Sequence, residues 1–280
     1  MPLLSALMLV LSFTVSAVVI SRSSHLAPSQ PSGWTQTLDD QFNVDGSVPS
    51  YWSLYDGPYG SDPFNCATPS HATVSGGYLH MLMKYESTAP SGGQCGAAWY
   101  TAGMQLNASY AAINQRITLR WRMVSTDPAN ASDPNAGVIS HNNMPMHFGN
   151  DNGCWPTVAQ GGETDYLEGS DPTTMGSFIH YGADCGASTQ FQSPDYTSFD
   201  FRQWHTVRAE RNNYTVNVYI DDMINPIYTK VGDASTIYDV AQRAVLQQEC
   251  RGTGCPATTS PTNTYTNDVQ VDWLTVENYS

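Results

Sequence analysis

The chain has 280 residues, with 11 Lys and Arg against 25 Asp and Glu and a formal net charge of -14 at pH 7. An acidic, Lys-poor surface repels polyanions, which argues against nucleic acid, anionic membranes and charged sugars as partners and leaves a neutral polysaccharide compatible. The length suits one large all-β domain that can bury a core of its own.

Residues 1–17 read as a signal peptide. Leu3 to Ile20 is apolar apart from Ser5, Ser12, Thr14 and Ser16, and Val15-Ser16-Ala17 offers the small residues of a cleavage site. A membrane anchor is the competing reading, because the run is near the minimum spanning length. The polar residues and the cleavage-like site favour export, with no membrane attachment after cleavage. Residues 18–33 then form a flexible lead-in rich in Ser and Pro, and residues 34–280 a single domain.

Within that domain short alternating runs recur: YLHMLMKY (78–85), INQRITLRWRMV (113–124), TMGSFIHYG (174–182), WHTVRAER (204–211), YTVNVYIDD (214–222) and VQVDWLTVEN (269–278). In the second run Ile117, Leu119, Trp121 and Met123 share one face and Arg116, Arg120 and Arg122 the other. This period of two predicts half-buried antiparallel strands, and many of them without helices predict a β-sandwich or barrel. The segment 233–246 (DASTIYDVAQRAVL) fits either a helical turn or a strand ending at Leu246, and 126–137 (TDPANASDPNAG) is a loop by its Pro, Asn and Gly content.

The cysteines, Cys66, Cys95, Cys154, Cys185, Cys250 and Cys255, are even in number and contain no Cys-x-x-Cys pair, as expected of disulfides in an exported chain. Sequence admits many pairings. Chain order suggests local staples, Cys66–Cys95, Cys154–Cys185 and Cys250–Cys255. Asn-x-Ser/Thr acceptor sites for glycosylation begin at Asn107, Asn130, Asn213 and Asn278.

The chemistry concentrates in GGETDYLEG (161–169), where Glu163, Asp165 and Glu168 are flanked by glycines. On a strand Glu163 and Asp165 share a face, whereas Glu168, five residues on, falls on the other. One β-bulge between Asp165 and Glu168 brings all three together. Two carboxylates on one face can divide glycoside hydrolysis with retention, which needs the groups roughly 5–5.5 Å apart. Five residues of straight strand span about 16 Å, so bulge and side-chain lean must close that gap.

The segment resembles the Glu-x-Asp-x-x-Glu signature of glycoside hydrolase family 16, in its bulged, laminarinase-like subgroup. TLDDQF (37–42), IHYG (179–182), WHTVRAER and VQVDWLTVEN are similar to other strands of that family. The resemblance implies a β-sandwich jelly roll with a concave substrate cleft. It implies a monomeric, secreted retaining endo-β-glycanase acting on a neutral polysaccharide, β-1,3-glucan first, with no cofactor required for catalysis. A β-galactan hydrolase, a cell-wall transglycosylase or a non-catalytic sugar-binding relative are the alternatives. It further implies Glu163 as nucleophile, Glu168 as general acid/base and Asp165 as helper. Trp155 and Gln247 would contact sugar, and His180 would contact a carboxylate or the sugar. Asp272 corresponds to a position that can join a structural calcium.

The chain departs from the family's aromatic pattern at Arg211 and at His147-Phe148. By exposure statistics Arg211 is expected on the surface and His205 in a structural role. His141 and His147 are open to sugar contact or to a loop or surface position.

Overall fold

The alternating runs build two largely antiparallel sheets, with Asn65–Ala67 and Ala98–Thr101 pairing parallel, that bury their apolar faces against each other. The structure, a computed structural model, describes residues 33–58, 65–90, 94–125, 140–149, 162–182, 189–237, 239–250 and 266–280. The signal (1–17), the lead-in up to residue 32, the 126–137 loop, Trp155, Cys154, Cys185, Cys255 and the acceptor Asn130 lie outside the described residues.

In chain order the strands are β1 (Trp34–Asp40), β2 (Gly46–Ser47), β3 (Trp52–Leu54), β4 (Gly57–Pro58), β5 (Asn65–Ala67), β6 (Ala72–Ser75), β7 (Tyr78–Glu86), β8 (Ala98–Thr101), β9 (Gly103–Leu106), β10 (Gln115–Ser125), β11 (Ser140–Phe148), β12 (Glu163–Asp171), β13 (Thr174–Tyr181), β14 (Thr189–Gln192), β15 (His205–Asn212), β16 (Thr215–Ile220), β17 (Tyr228–Val231), β18 (Arg243–Cys250) and β19 (Thr266–Tyr279). One sheet runs β17-β16-β15-β10-β19-β7-β8-β5-β4, with β1 on β19 and β6 on β7. The other, which carries the cleft, runs β14-β13-β12-β11-β18-β9-β3. This is the jelly-roll sandwich expected from the sequence.

The strand periodicity decides which side chains meet. Ile117, Leu119 and Trp121 of β10 are fully buried, as are Leu274 and Val276 of β19, while Arg120 and Arg122 point outward and are half-buried. From the cleft sheet Met104, Met144, Leu167 and Leu246 join the same core. Trp121 stacks on Phe201 with ring centroids 4.9 Å apart. Each such large side chain contributes about 1.5–3 kcal/mol by leaving water.

The segment 233–246 divides between both expectations. Ile237 N–H donates to Asp233 C=O (2.8 Å) in one turn, and the strand starts only at Arg243 and continues to Cys250. Cys66 and Cys95 are bonded, as chain order suggested, with Cα atoms 6.2 Å apart. Closing that 29-residue separation stabilises by about 3–4 kcal/mol in the chain-entropy picture. Cys250 is also disulfide-bonded. Among the described residues no helix is long and apolar enough to cross a membrane.

Candidate active site

The strand that carries the three carboxylates, β12, is set by its glycines and by a register slip. Gly162 has φ 65°, a left-handed conformation that a side chain disfavours, and it turns the chain into β12. At Gly169 a Cβ would come within 2.9 Å of the Thr174 carbonyl oxygen, so β13 can pass close by only because that position is glycine. Between these, Asp165 pairs with Phe178 and Glu168 with Gly176, three steps on β12 against two on β13. This is the bulge that the spacing predicts. Tyr166 and Leu167 both turn into the core, fully buried, and Glu168 thereby returns to the face of Asp165.

The neighbouring strand carries a matching irregularity. Asn143 and Met146 of β11 pair with Glu168 and Asp165, three steps against three. Against β18 the same two residues meet Gln247 and Val245, three steps against two. Both β11 and β12 thus hold one extra residue relative to their outer partners, and the Met144–Pro145 peptide bond within that stretch of β11 is cis.

Above the bulge lies a cleft of about 580 Å3, lined by Glu163, Asp165, Glu168, His141, His180 and Phe178 among others. Asp165 is 1 % exposed, and its Oδ2 lies 3.3 Å from His180 Nε2. Oxygens of Asp165 and Glu168 and a nitrogen of His180 all fall within 4.8 Å of one another. Glu168 Oε1 lies 2.7 Å from His141 Nε2, and His141 Nδ1 lies 2.8 Å from Ser170 Oγ. The cleft thus brings carboxylates and imidazoles, groups that can pass protons, within reach of one another.

Beneath the bulge a buried polar column ties the two sheets. The Gln115 amide donates to Tyr110 C=O (2.8 Å) and to Asn278 Oδ1 (2.9 Å), so its Oε1 accepts from His147 Nε2 at 3.0 Å. His147 Nδ1 then accepts from the Tyr166 hydroxyl. Burial, reinforced by the Arg211 guanidinium, lowers the His147 pKa to about 3, and burial raises that of Tyr166. Both stay neutral, each with its proton in a fixed place.

The structure gathers Glu163, Asp165, Glu168 and His180 into one cleft, with His180 beside the Asp165 carboxylate. Gln247 pairs with Asn143, which pairs with Glu168, so it occupies the same face two strands away, outside the lining of this cleft. Phe148 pairs with Glu163 and is half-buried on the cleft side. His205 is structural as expected, bonded to Asp221 Oδ2 (2.7 Å) and Asp200 C=O (3.0 Å).

Other residues depart from expectation. Arg211, expected on the surface, is 3 % exposed and donates to Val240 C=O at 3.1 Å. It lies in register with Gln115, at the base of the polar column. His147 is in the core and contacts no sugar site. Asp272 is ion-paired with Arg120. Sequence reasoning missed the contacts of His141 with Glu168 and with Ser170, and the column under Tyr166. The signal for the first was present, since Ser170 lies two residues beyond Glu168 and so shares its face.

No protein-family model and no curated protein matches the sequence. Solved structures do. LamAcat from Zobellia galactanivorans superposes with a TM-score of 0.66 at 16% identity, covering 88% of this chain and 98% of that one. The laminarinase catalytic domain from Thermotoga maritima gives 0.64 at 18% identity, with 88% and 99% covered. This is the fold of the laminarinases. SCLam, described as a non-specific endo-β-1,3(4)-glucanase from glycoside hydrolase family 16, shares that laminarinase fold at a TM-score of 0.64 and 16% identity, with 90% and 94% covered.

Proposed function

We propose that this protein is a secreted, retaining endo-β-glycanase that hydrolyses internal β-1,3 linkages of a neutral glucan. The observation that carries the reading is the bulge in β12, which turns Glu168 back to the cleft that Glu163 and Asp165 also line. In the first step the Glu163 carboxylate attacks the anomeric carbon. The bond to the leaving glycosidic oxygen breaks, and that oxygen takes the proton of Glu168. In the second step the Glu168 carboxylate removes a proton from water, whose oxygen attacks the same carbon and releases Glu163. Asp165, held by His180, adds a nearby charge that disfavours ionisation of Glu168 before substrate arrives.

Both carboxylates come from the chain itself, so the reaction needs no cofactor. The net charge of -14 favours an uncharged polymer, and the laminarinases and glucanase that share the fold support a β-glucan. Residues 1–17 would direct export, and Trp155, upstream of the carboxylates, would stack on a sugar ring. Gln247, on the same face as Glu168, would bind a sugar hydroxyl further along. The test is sugar release from a panel of soluble β-glucans and β-galactans by the wild type, Glu163→Gln and Glu168→Gln. Turnover of β-1,3-glucan that collapses in both variants, with folding intact, supports the reading. Full activity in either variant, or binding of a glycan without cleavage by the wild type, contradicts it.

A further inference from the structure

His141 makes a close side-chain contact to the Glu168 carboxyl. It stands on β11, and its Nε2 and Nδ1 reach Glu168 Oε1 (2.7 Å) and Ser170 Oγ (2.8 Å). We infer that His141 is a positioning residue for Glu168, oriented in turn by Ser170, in a chain Ser170–His141–Glu168. The inference rests on the reading of Glu168 as acid/base.

Proton bookkeeping gives the chain its direction. A neutral imidazole carries one N–H, and Glu168 alternates between carboxyl and carboxylate during the reaction. One tautomer serves both states. The Ser170 hydroxyl donates to Nδ1, and Nε2–H donates to Glu168 Oε1. In the first step Oε1 accepts that N–H as the carbonyl-like oxygen, so the acidic proton rides on Oε2 and leaves from there to the glycosidic oxygen. In the second step the carboxylate still accepts the same N–H, and Oε2 takes the proton from water. His141 changes protonation in neither step; it fixes which oxygen transfers the proton and where that oxygen points.

The surroundings suit this role. The side chains of His141 and Glu168 are 11% and 12% exposed, so water competes little for their contact. Of the charged groups around His141, β12 presents Glu168, with Asp165 and Glu163 further along the same face and Asp171 at the strand's end, and Asp195 lines the same cleft. From β18, Glu249 lies in register with His141 and is 1% exposed, and Arg243 pairs with Phe148 at the far end of β11. From β13, His180 reaches Asp165 rather than Glu168. An N–H donor stabilises the carboxylate form, so loss of His141 lets Glu168 keep its proton to higher pH.

The experiment makes His141→Leu, His141→Gln and Ser170→Ala in the wild type and in Glu168→Gln, and measures kcat and KM on soluble β-1,3-glucan across pH. His141→Leu is expected to lower kcat on the order of tenfold, a share of general acid–base catalysis, with KM little changed. Its alkaline limb should move to higher pH. His141→Gln, which keeps an N–H donor, should recover most of the rate, and Ser170→Ala should show a smaller loss with a shifted limb. In the Glu168→Gln background His141→Leu should cost nothing further, because the two act as one unit. Equal proportional losses in both backgrounds, or an unmoved limb, would overturn the inference. Should His141→Leu not fold, imidazole nitrogen NMR of the wild type and Ser170→Ala decides the matter. A protonated Nε2 in the first and a mixed tautomer in the second supports the chain, and a protonated Nδ1 in the wild type overturns it. Wild-type turnover in Glu168→Gln would instead sink the acid/base assignment itself.

Discussion

His141 and His147 lie six residues apart on one strand, and on a regular strand an even spacing would put both on the same face. They face opposite ways. His141 meets Glu168 at the cleft, whereas His147 lies in the core with its proton committed to Gln115. The extra residue in β11 between Asn143 and Met146 makes the difference, as the extra residue in β12 does for Glu163 and Glu168. One pair of adjacent irregularities therefore does two things. It sets a histidine beside the Glu168 carboxyl, and it sets another beneath the bulge where it holds Tyr166.

The two faces should respond differently to substitution. The largest effect belongs to the cleft: Glu163→Gln and Glu168→Gln should each lower kcat on the order of 10³-fold with unchanged melting, measured as sugar release from β-1,3-glucan. On the core face, Tyr166→Phe removes the donor to His147 Nδ1 and leaves a buried acceptor without its partner. The expected cost is about 1–3 kcal/mol of stability, read as a lower denaturation midpoint. Activity should fall as well, because Asp165 adjoins the loosened residue.

Acid should act on the core face through the buried histidine. The folded-state pKa of His147 is lowered from 6.5 to about 3, chiefly by burial, so the unfolded chain takes up a proton that the folded chain refuses. Its contribution to stability is complete above about pH 6.5 and is lost as pH falls from there toward about 3. His147→Gln should flatten that part of the stability curve, measured by denaturant melts across pH. The smallest effect is expected of Ser170→Ala, seen in the pH profile more than in stability.

The sandwich was legible because strand periodicity is local. Ile117, Leu119 and Trp121 alternate with polar residues, and the structure buries the first set and leaves Arg120 and Arg122 half-exposed, while Arg116 is buried against Glu277. The bulge in β12 was legible for the same reason, since an odd spacing of carboxylates has few other ways to reach one face. The matching irregularity in β11 was not, because MPM carries no such parity mark until its pairing with β12 and β18 is known. Arg211 misled for a related reason. Its usual place is the surface, yet its cross-strand partner Gln115 belongs to the column under Tyr166, a relation fixed by the register of β10 and β15. The pairing of Asp272 with Arg120 likewise joins strands far apart in sequence. The laminarinase fold of the solved structures adds support for the architecture, at an identity too low to assign roles to side chains.

The most direct test of the proposed chemistry is proton NMR of the anomeric centre during early hydrolysis of a β-1,3-glucan. Double displacement through Glu163, with Glu168 serving as acid and then base, predicts that the β-anomer appears first and mutarotates afterwards. An α-anomer as the first product would mean direct attack by water and would contradict the assignment of Glu163 as nucleophile.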